Sequence, residues 1–174
     1  MTAFVLLLFG LGGLSVTARA QSGSAVGPGI GGRATEDVIM GPLRTQWEAT
    51  EGLVMNIARI IPESLYDYRP TPEVRSFREL LTHIASENTI YMPMVAGAPP
   101  RDRSKIEALQ GRDEILKAMQ DSYDYGTQTL ANLTDEKAAD IIDLRGRPTL
   151  RWYAALYNIW DNMTTTGTWW SMCG

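Results

Sequence analysis

At 174 residues with 44% hydrophobic content, the chain is long enough to bury one real core and too short for two comfortable domains. Twenty acidic against sixteen basic residues leave a net charge of −4, and no long run of Lys or Arg points to nucleic acid or an anionic membrane surface as a partner. Cys173 is the only cysteine, which excludes an internal disulfide and a cysteine-cluster metal site.

Residues 1–20 read as an export signal. Ala3 to Leu14 is an apolar run of h-region length, and Ala18-Arg19-Ala20 before Gln21 has the small-x-small form of a cleavage site. The run is too short to span a bilayer as a mature helix. Residues 21–35, rich in Gly and Ser, follow as a flexible linker, and residues 36–174 form the folded domain. The mature protein is therefore expected outside the cytoplasm, periplasmic or extracellular, and free of the membrane after cleavage.

Gly41-Pro42 and Pro62 bracket a first helix from about Leu43 to Ile61. Its apolar stripe is Leu43, Trp47, Val54, Ile57, Ala58 and Ile61. Tyr68-Arg69-Pro70 and Thr71-Pro72 then force a turn, because each Pro lacks an N–H and pushes its predecessor toward extended geometry. A second helix starts at Ser76, whose hydroxyl can accept from the N–H of Glu79 while the Glu79 carboxylate reaches back. It ends near Gly97, with Pro93 bending its last turns.

On this second helix Phe77, Leu80, Leu81, Ile84, Asn88 and Tyr91 share one stripe about 100° wide. His83 lies roughly 60° outside one edge, at the lip of the buried face, with Glu87 between them. A lone imidazole there is either packed or serves as a ligand or acid/base group, and the residue alone leaves both open. Glu87, one turn on, is either a solvated or ion-paired carboxylate or one that orients a ligand or acts as a catalytic base.

Pro99 to Gly111 is a polar connection. A third helix begins near Asp113, whose carboxylate suits a positive N-terminal end, and buries Ile115, Met119, Tyr123, Gly126, Leu130 and Leu133. Glycine in mid-stripe costs about 1 kcal/mol of helix propensity, which fits either close approach by a neighbour or simple tolerance. Thr134-Asp135-Glu136 caps a short helical segment through Ile142, and Arg145-Gly146-Arg147-Pro148 makes a turn. A fourth helix starts near Thr149, with Trp152, Leu156, Ile159 and Trp160 on its buried side and Asp161 close beside them. Its pattern dissolves at Met163, since Thr164-Thr165-Thr166-Gly167-Thr168 combines β-branched residues with a glycine. With no sustained period-two alternation, the chain reads as an all-α four-helix bundle whose fourth helix is truncated.

The segment YRPTPEVRSFRELLTHIA, Tyr68 to Ala85, resembles the opening of the second helix in the DinB-like (YfiT-like) superfamily of bacterial four-helix bundles, and the resemblance extends over about Leu43 to Asp161. It implies a metal-dependent hydrolase with a divalent ion of zinc, nickel or manganese type, held in the bundle core by three side chains, with His83 as one ligand. It also implies a homodimer. The family's fourth helix carries its remaining ligands in a signature similar to H-x-x-x-H-Y-G-N-L-V-x-Y, which is not visible here. A one-base offset of the back-translated stretch MTTTGTWWSMC can read His-Asp-His-Tyr-Gly-Asn-Leu-Val-Val-Tyr-Val, so the C-terminus is expected to be a frameshifted end. With the shift just after Asn162, Asp161 falls four residues before the histidine of the restored His-Tyr-Gly, where the family places another histidine. Two ligands at that spacing share a helix face, and a carboxylate can replace an imidazole on a zinc-like ion.

His83 and Asp161 are therefore the candidate metal ligands, with Glu87 the weaker catalytic candidate. Some relatives are thiol transferases, but an exported member is a poor match for a cytosolic thiol, which leaves hydrolase as the expected activity. As written, the chain lacks the family's full ligand set, and an inactive centre is expected. The alternative is a non-catalytic exported bundle that binds a small ligand or a partner, with His83 merely packed. Neither a Gly-rich phosphate loop nor an acidic calcium loop is present, and no substrate is indicated.

Overall fold

A computed structural model describes residues 37–173, with side chains as far as Gly167. The expected export signal, residues 1–20, and linker, residues 21–35, lie outside the described residues, as do the side chains of Trp169 and Trp170. The elements in order are α1 (Met40–Ile60), α2 (Phe77–Ala96), α3 (Ser104–Glu107), α4 (Arg112–Ala131), α5 (Asp135–Ala138), β1 (Ile141–Leu144), β2 (Arg147–Leu150) and α6 (Arg151–Cys173). The four long helices form an all-α bundle in which α1 and α2 each pack against both α4 and α6. Among the described residues no helix is long and apolar enough to cross a membrane.

Local chemistry explains most of the boundaries. Ser76 is the N-cap of α2: its Oγ accepts from the Glu79 N–H at 3.3 Å and the Glu79 carboxylate accepts from the Ser76 N–H at 2.9 Å, a reciprocal capping box. Gly97 closes the helix at φ 83°, a left-handed cap that glycine adopts without Cβ strain. The first helix begins at Met40, three residues earlier than Gly41-Pro42 suggests. Pro42 sits in the first turn, where its missing N–H has no intrahelical partner to lose. The free N–H groups of Ile39 and Met40 donate to the two Asp135 carboxylate oxygens at 3.0 and 2.8 Å, a cap 95 residues or more away in sequence.

The stripes predicted for α2 and α4 are buried throughout. Gly126 is a close-approach position: a Cβ built there would lie 2.2 Å from Trp47 Cζ2. The indole is 1% exposed, donates from Nε1 to Thr127 Oγ1 at 3.0 Å, and lies 5.0 Å from the Tyr123 ring.

Three expectations are corrected. The helical segment from Thr134 stops at Ala138, and Ile141 and Ile142 enter a two-stranded antiparallel hairpin, paired with Leu150 and Thr149. Arg145 and Gly146 both take positive φ, 57° and 84°, the two-residue turn that matches hairpin twist. The fourth helix is not truncated: it runs 23 residues to Cys173, a length that matches its neighbours. Thr164 and Thr166 turn their hydroxyls back to the carbonyls of Trp160 and Asn162, at 3.0 and 2.7 Å, and Thr166 is buried. Burial and satisfied hydroxyls thus outweigh a propensity deficit of a few tenths of a kcal/mol per threonine. Finally, the buried face of α6 is Ala154, Ala155, Asn158, Ile159, Asn162 and Thr166, while Trp160 is 59% exposed and Leu156 36%. The small alanines let α6 approach its neighbours, and the Asn158 and Asn162 amides donate to Asn88, while their own carbonyl oxygens are buried without a hydrogen-bond partner among the described residues.

Candidate functional site

The antiparallel seam between α2 and α6 brings the two predicted ligands together. His83 and Glu87 are one turn apart on α2, and Tyr157 and Asp161 are one turn apart on α6, so each pair shares a helix face. His83 Nε2 stands 3.6 Å from Asp161 Oδ2, with the side chains 21% and 26% exposed. That distance is too long for a hydrogen bond. Asp161 Oδ2 is itself buried and has no hydrogen-bond partner among the described residues. Further along the seam, the Tyr91 and Tyr157 rings are 5.5 Å apart, and Arg145 Nη1 donates to the Tyr91 hydroxyl at 3.4 Å.

Burial of the imidazole, aided by the Arg75 charge, holds the His83 pKa below its ordinary value; Asp161 and Glu87 push it up but do not prevail. At neutral pH His83 is thus uncharged with a free lone pair, the form that binds metals. Its approach to Asp161 is therefore not an ion pair at that pH. Glu87 is 6% exposed and accepts from Arg103 Nη1 at 3.0 Å, while Arg103 Nε also reaches Glu107 at 3.1 Å. The structure thus places Glu87 beside the pair as an ion-paired carboxylate, committed to Arg103.

The donor set can be tested against a metal. Two ligand atoms on one tetrahedral ion, each bonded at about 2.0–2.2 Å, stand roughly 3.3–3.5 Å apart. The 3.6 Å between His83 Nε2 and Asp161 Oδ2 is close to that, and the orphaned carboxylate oxygen lacks the donor that burial demands. These two residues fit as part of a metal set. A third ligand is missing: among the described residues no group of three or more His, Cys, Asp or Glu could hold an ion. Thr165, one turn beyond Asp161 and half-buried, offers only a neutral hydroxyl.

Beneath the pair lies a polar network that pattern reading missed. Asn88 Oδ1 accepts from Asn158 Nδ2 and Asn162 Nδ2, both at 2.9 Å, and Asn88 Nδ2 donates to Ser122 Oγ at 3.2 Å. Asn162 Nδ2 also lies 3.3 Å from the Tyr123 hydroxyl, whose pKa burial drives far upward. All three asparagines are fully buried. Asn158 and Asn162 flank Asp161 on α6, so their bonds to Asn88 fix the turn that carries it. The i, i+4 spacing of the two asparagines was the available signal.

These features define a four-helix bundle with a polar centre in one inter-helix seam. The chain belongs to the DinB superfamily, whose profile matches residues 43–163. No curated protein sequence gives a significant match.

Proposed function

We propose that this is an exported DinB-superfamily protein in which His83 and Asp161 hold a divalent metal ion of zinc, nickel or manganese type, in a centre of metal-dependent hydrolase type that the chain as written leaves one ligand short. The single observation that carries this reading is the 3.6 Å approach of the His83 imidazole to a buried Asp161 carboxylate oxygen that has no hydrogen-bond partner among the described residues. A bound ion would supply a polarised water as nucleophile. The protein's own contribution is to present the His83 lone pair, to aim Asp161 from a turn anchored by Asn158 and Asn162, and to keep the Glu87–Arg103 pair alongside.

Metal analysis of purified protein tests the reading: near-stoichiometric ion, lost in both His83→Ala and Asp161→Ala, supports it. Placing the third ligand at the next turn, in Thr165→His, is expected to tighten binding and to raise hydrolysis of a generic activated ester above the level of the unmodified chain. Resequencing the gene from the codon for Trp152 past the present stop tests the frameshifted C-terminus, which predicts an opened His-Tyr-Gly helix. N-terminal sequencing of secreted material tests export and predicts a mature start at Gln21.

One observation favours a second reading. With only two donors among the described residues, His83 can serve as a packed imidazole in a non-catalytic bundle that binds a small ligand or a partner. Absence of metal from both the natural chain and Thr165→His would select it. A homodimer is proposed under either reading, and sedimentation would test it.

A further inference from the structure

A cavity of about 180 Å³ lies between α2 and α4, apart from the His83–Asp161 seam. Its volume corresponds to about six water molecules at liquid density, too small for a drug-sized ligand but large enough for a short organic molecule. Its walls include the side chains of Ile106, Ala118 and Tyr125, and it reaches inward to Ser122 and the buried Asn88. The inner end is already hydrogen-bonded within itself.

The rim carries two charges of different status. Asp121 is ion-paired with Lys117 one turn away, whose Nζ donates to both carboxylate oxygens at 2.8 and 2.7 Å in a solvent-exposed pair. Arg101 makes no ion pair or side-chain hydrogen bond among the described residues. Its guanidinium instead sits over the Tyr125 ring, 3.9 Å from the centroid, and its backbone N–H donates to the Thr89 carbonyl at 3.2 Å. The loop is thereby tied to α2, and the cation is held at the mouth with its N–H donors uncommitted. A guanidinium so placed is preorganised for a carboxylate, which it can grip through two parallel hydrogen bonds.

We propose that this cavity binds a short-chain carboxylate, with the carboxylate on Arg101 and the alkyl chain inserted against Tyr125, Ile106 and Ala118. The site does not depend on the metal reading, since its elements are α2, α4 and the loop between them.

Titration of the full chain with butyrate, followed by NMR shifts and calorimetry, tests the proposal. Saturable one-site binding is expected, with none for the uncharged butyramide. Arg101→Gln, a change in an exposed loop that leaves the core intact, is expected to weaken butyrate by about tenfold or more, the value of a charged hydrogen-bonded pair. Ala118→Leu, which fills the cavity but keeps the cation, is expected to abolish binding. The proposal is overturned if wild-type protein does not bind butyrate, if butyramide binds equally well, or if Arg101→Gln binds as tightly as wild type. If Ala118→Leu folds and still binds, a surface charge rather than the cavity is responsible, which also overturns it.

Discussion

Gly126→Ala is the most informative single change to the fold, because two known effects oppose each other and the geometry decides between them. In an open helix the added methyl would be worth about 1 kcal/mol in propensity. Here the new Cβ would stand 2.2 Å from Trp47 Cζ2 and 2.8 Å from Cε2 and Cη2, against an optimal carbon–carbon separation of about 3.5–4.0 Å. The indole cannot easily swing aside, being held by Thr127 and packed on Tyr123. Overpacking of this kind costs about 1–3 kcal/mol, and so short a contact with a rigid ring belongs at the upper end. The net expectation is a loss of about 2 kcal/mol, or roughly 8 °C in the thermal midpoint for a domain of this size, read by far-UV circular dichroism and urea unfolding. In a Trp47→Phe background the loss should shrink by more than half, because the atoms that are struck are gone. A Gly126→Ala protein as stable as the natural one would refute the close-packing account of this glycine.

Further outcomes follow from the same contacts. Ser76→Ala removes one half of the capping box on α2 and is expected to cost about 1 kcal/mol in urea unfolding. The Asp135 pKa is held below its ordinary value by the N–H groups of Ile39 and then Met40. Its contribution to stability is therefore complete above the unfolded value of about 3.9 and is lost as pH falls through the lower folded value. Asp135→Asn should accordingly show a shallower loss of stability on the acid side than the natural protein. His83 is the only histidine, so its imidazole proton resonances are unambiguous. Their titration midpoint is expected below about 6.5, and lower still in Asp161→Asn, which removes an interaction that raises it. A midpoint that rises in that variant would contradict the proximity of the two groups.

The parts of the fold that were legible in the sequence are those set by neighbours along the chain. Ser76 and Glu79 are three residues apart, and the stripe from Phe77 to Tyr91 needs only helical spacing, so both could be read directly. Gly126 was suspect because a glycine in mid-stripe costs helix propensity, although its partner Trp47, 79 residues away, could not be named. What could not be read is set across the bundle. The C-terminal threonines look like helix breakers until their hydroxyls are seen bonded to carbonyls one turn back. On α6, Ile159 is buried and Trp152 packs on the core as its spacing indicates, but Leu156 and Trp160 turn outward, because the space against α2 admits alanine and asparagines whose amides donate to Asn88. Placing His83 at the edge of the buried face was within reach of spacing. Asp161 is marked in the sequence only by the resemblance and by its place one turn before a histidine in the shifted reading frame. Their 3.6 Å approach belongs to the tertiary structure.

The proposed sharing of a metal ion by His83 and Asp161 is tested most directly by a zinc titration of metal-free protein followed on the His83 imidazole resonances, with the Asp161→Ala variant in parallel. A shared ion gives a one-to-one change centred on His83, with affinity falling by at least about tenfold when the carboxylate is removed. No response of His83 to zinc, or an identical response in Asp161→Ala, would contradict it.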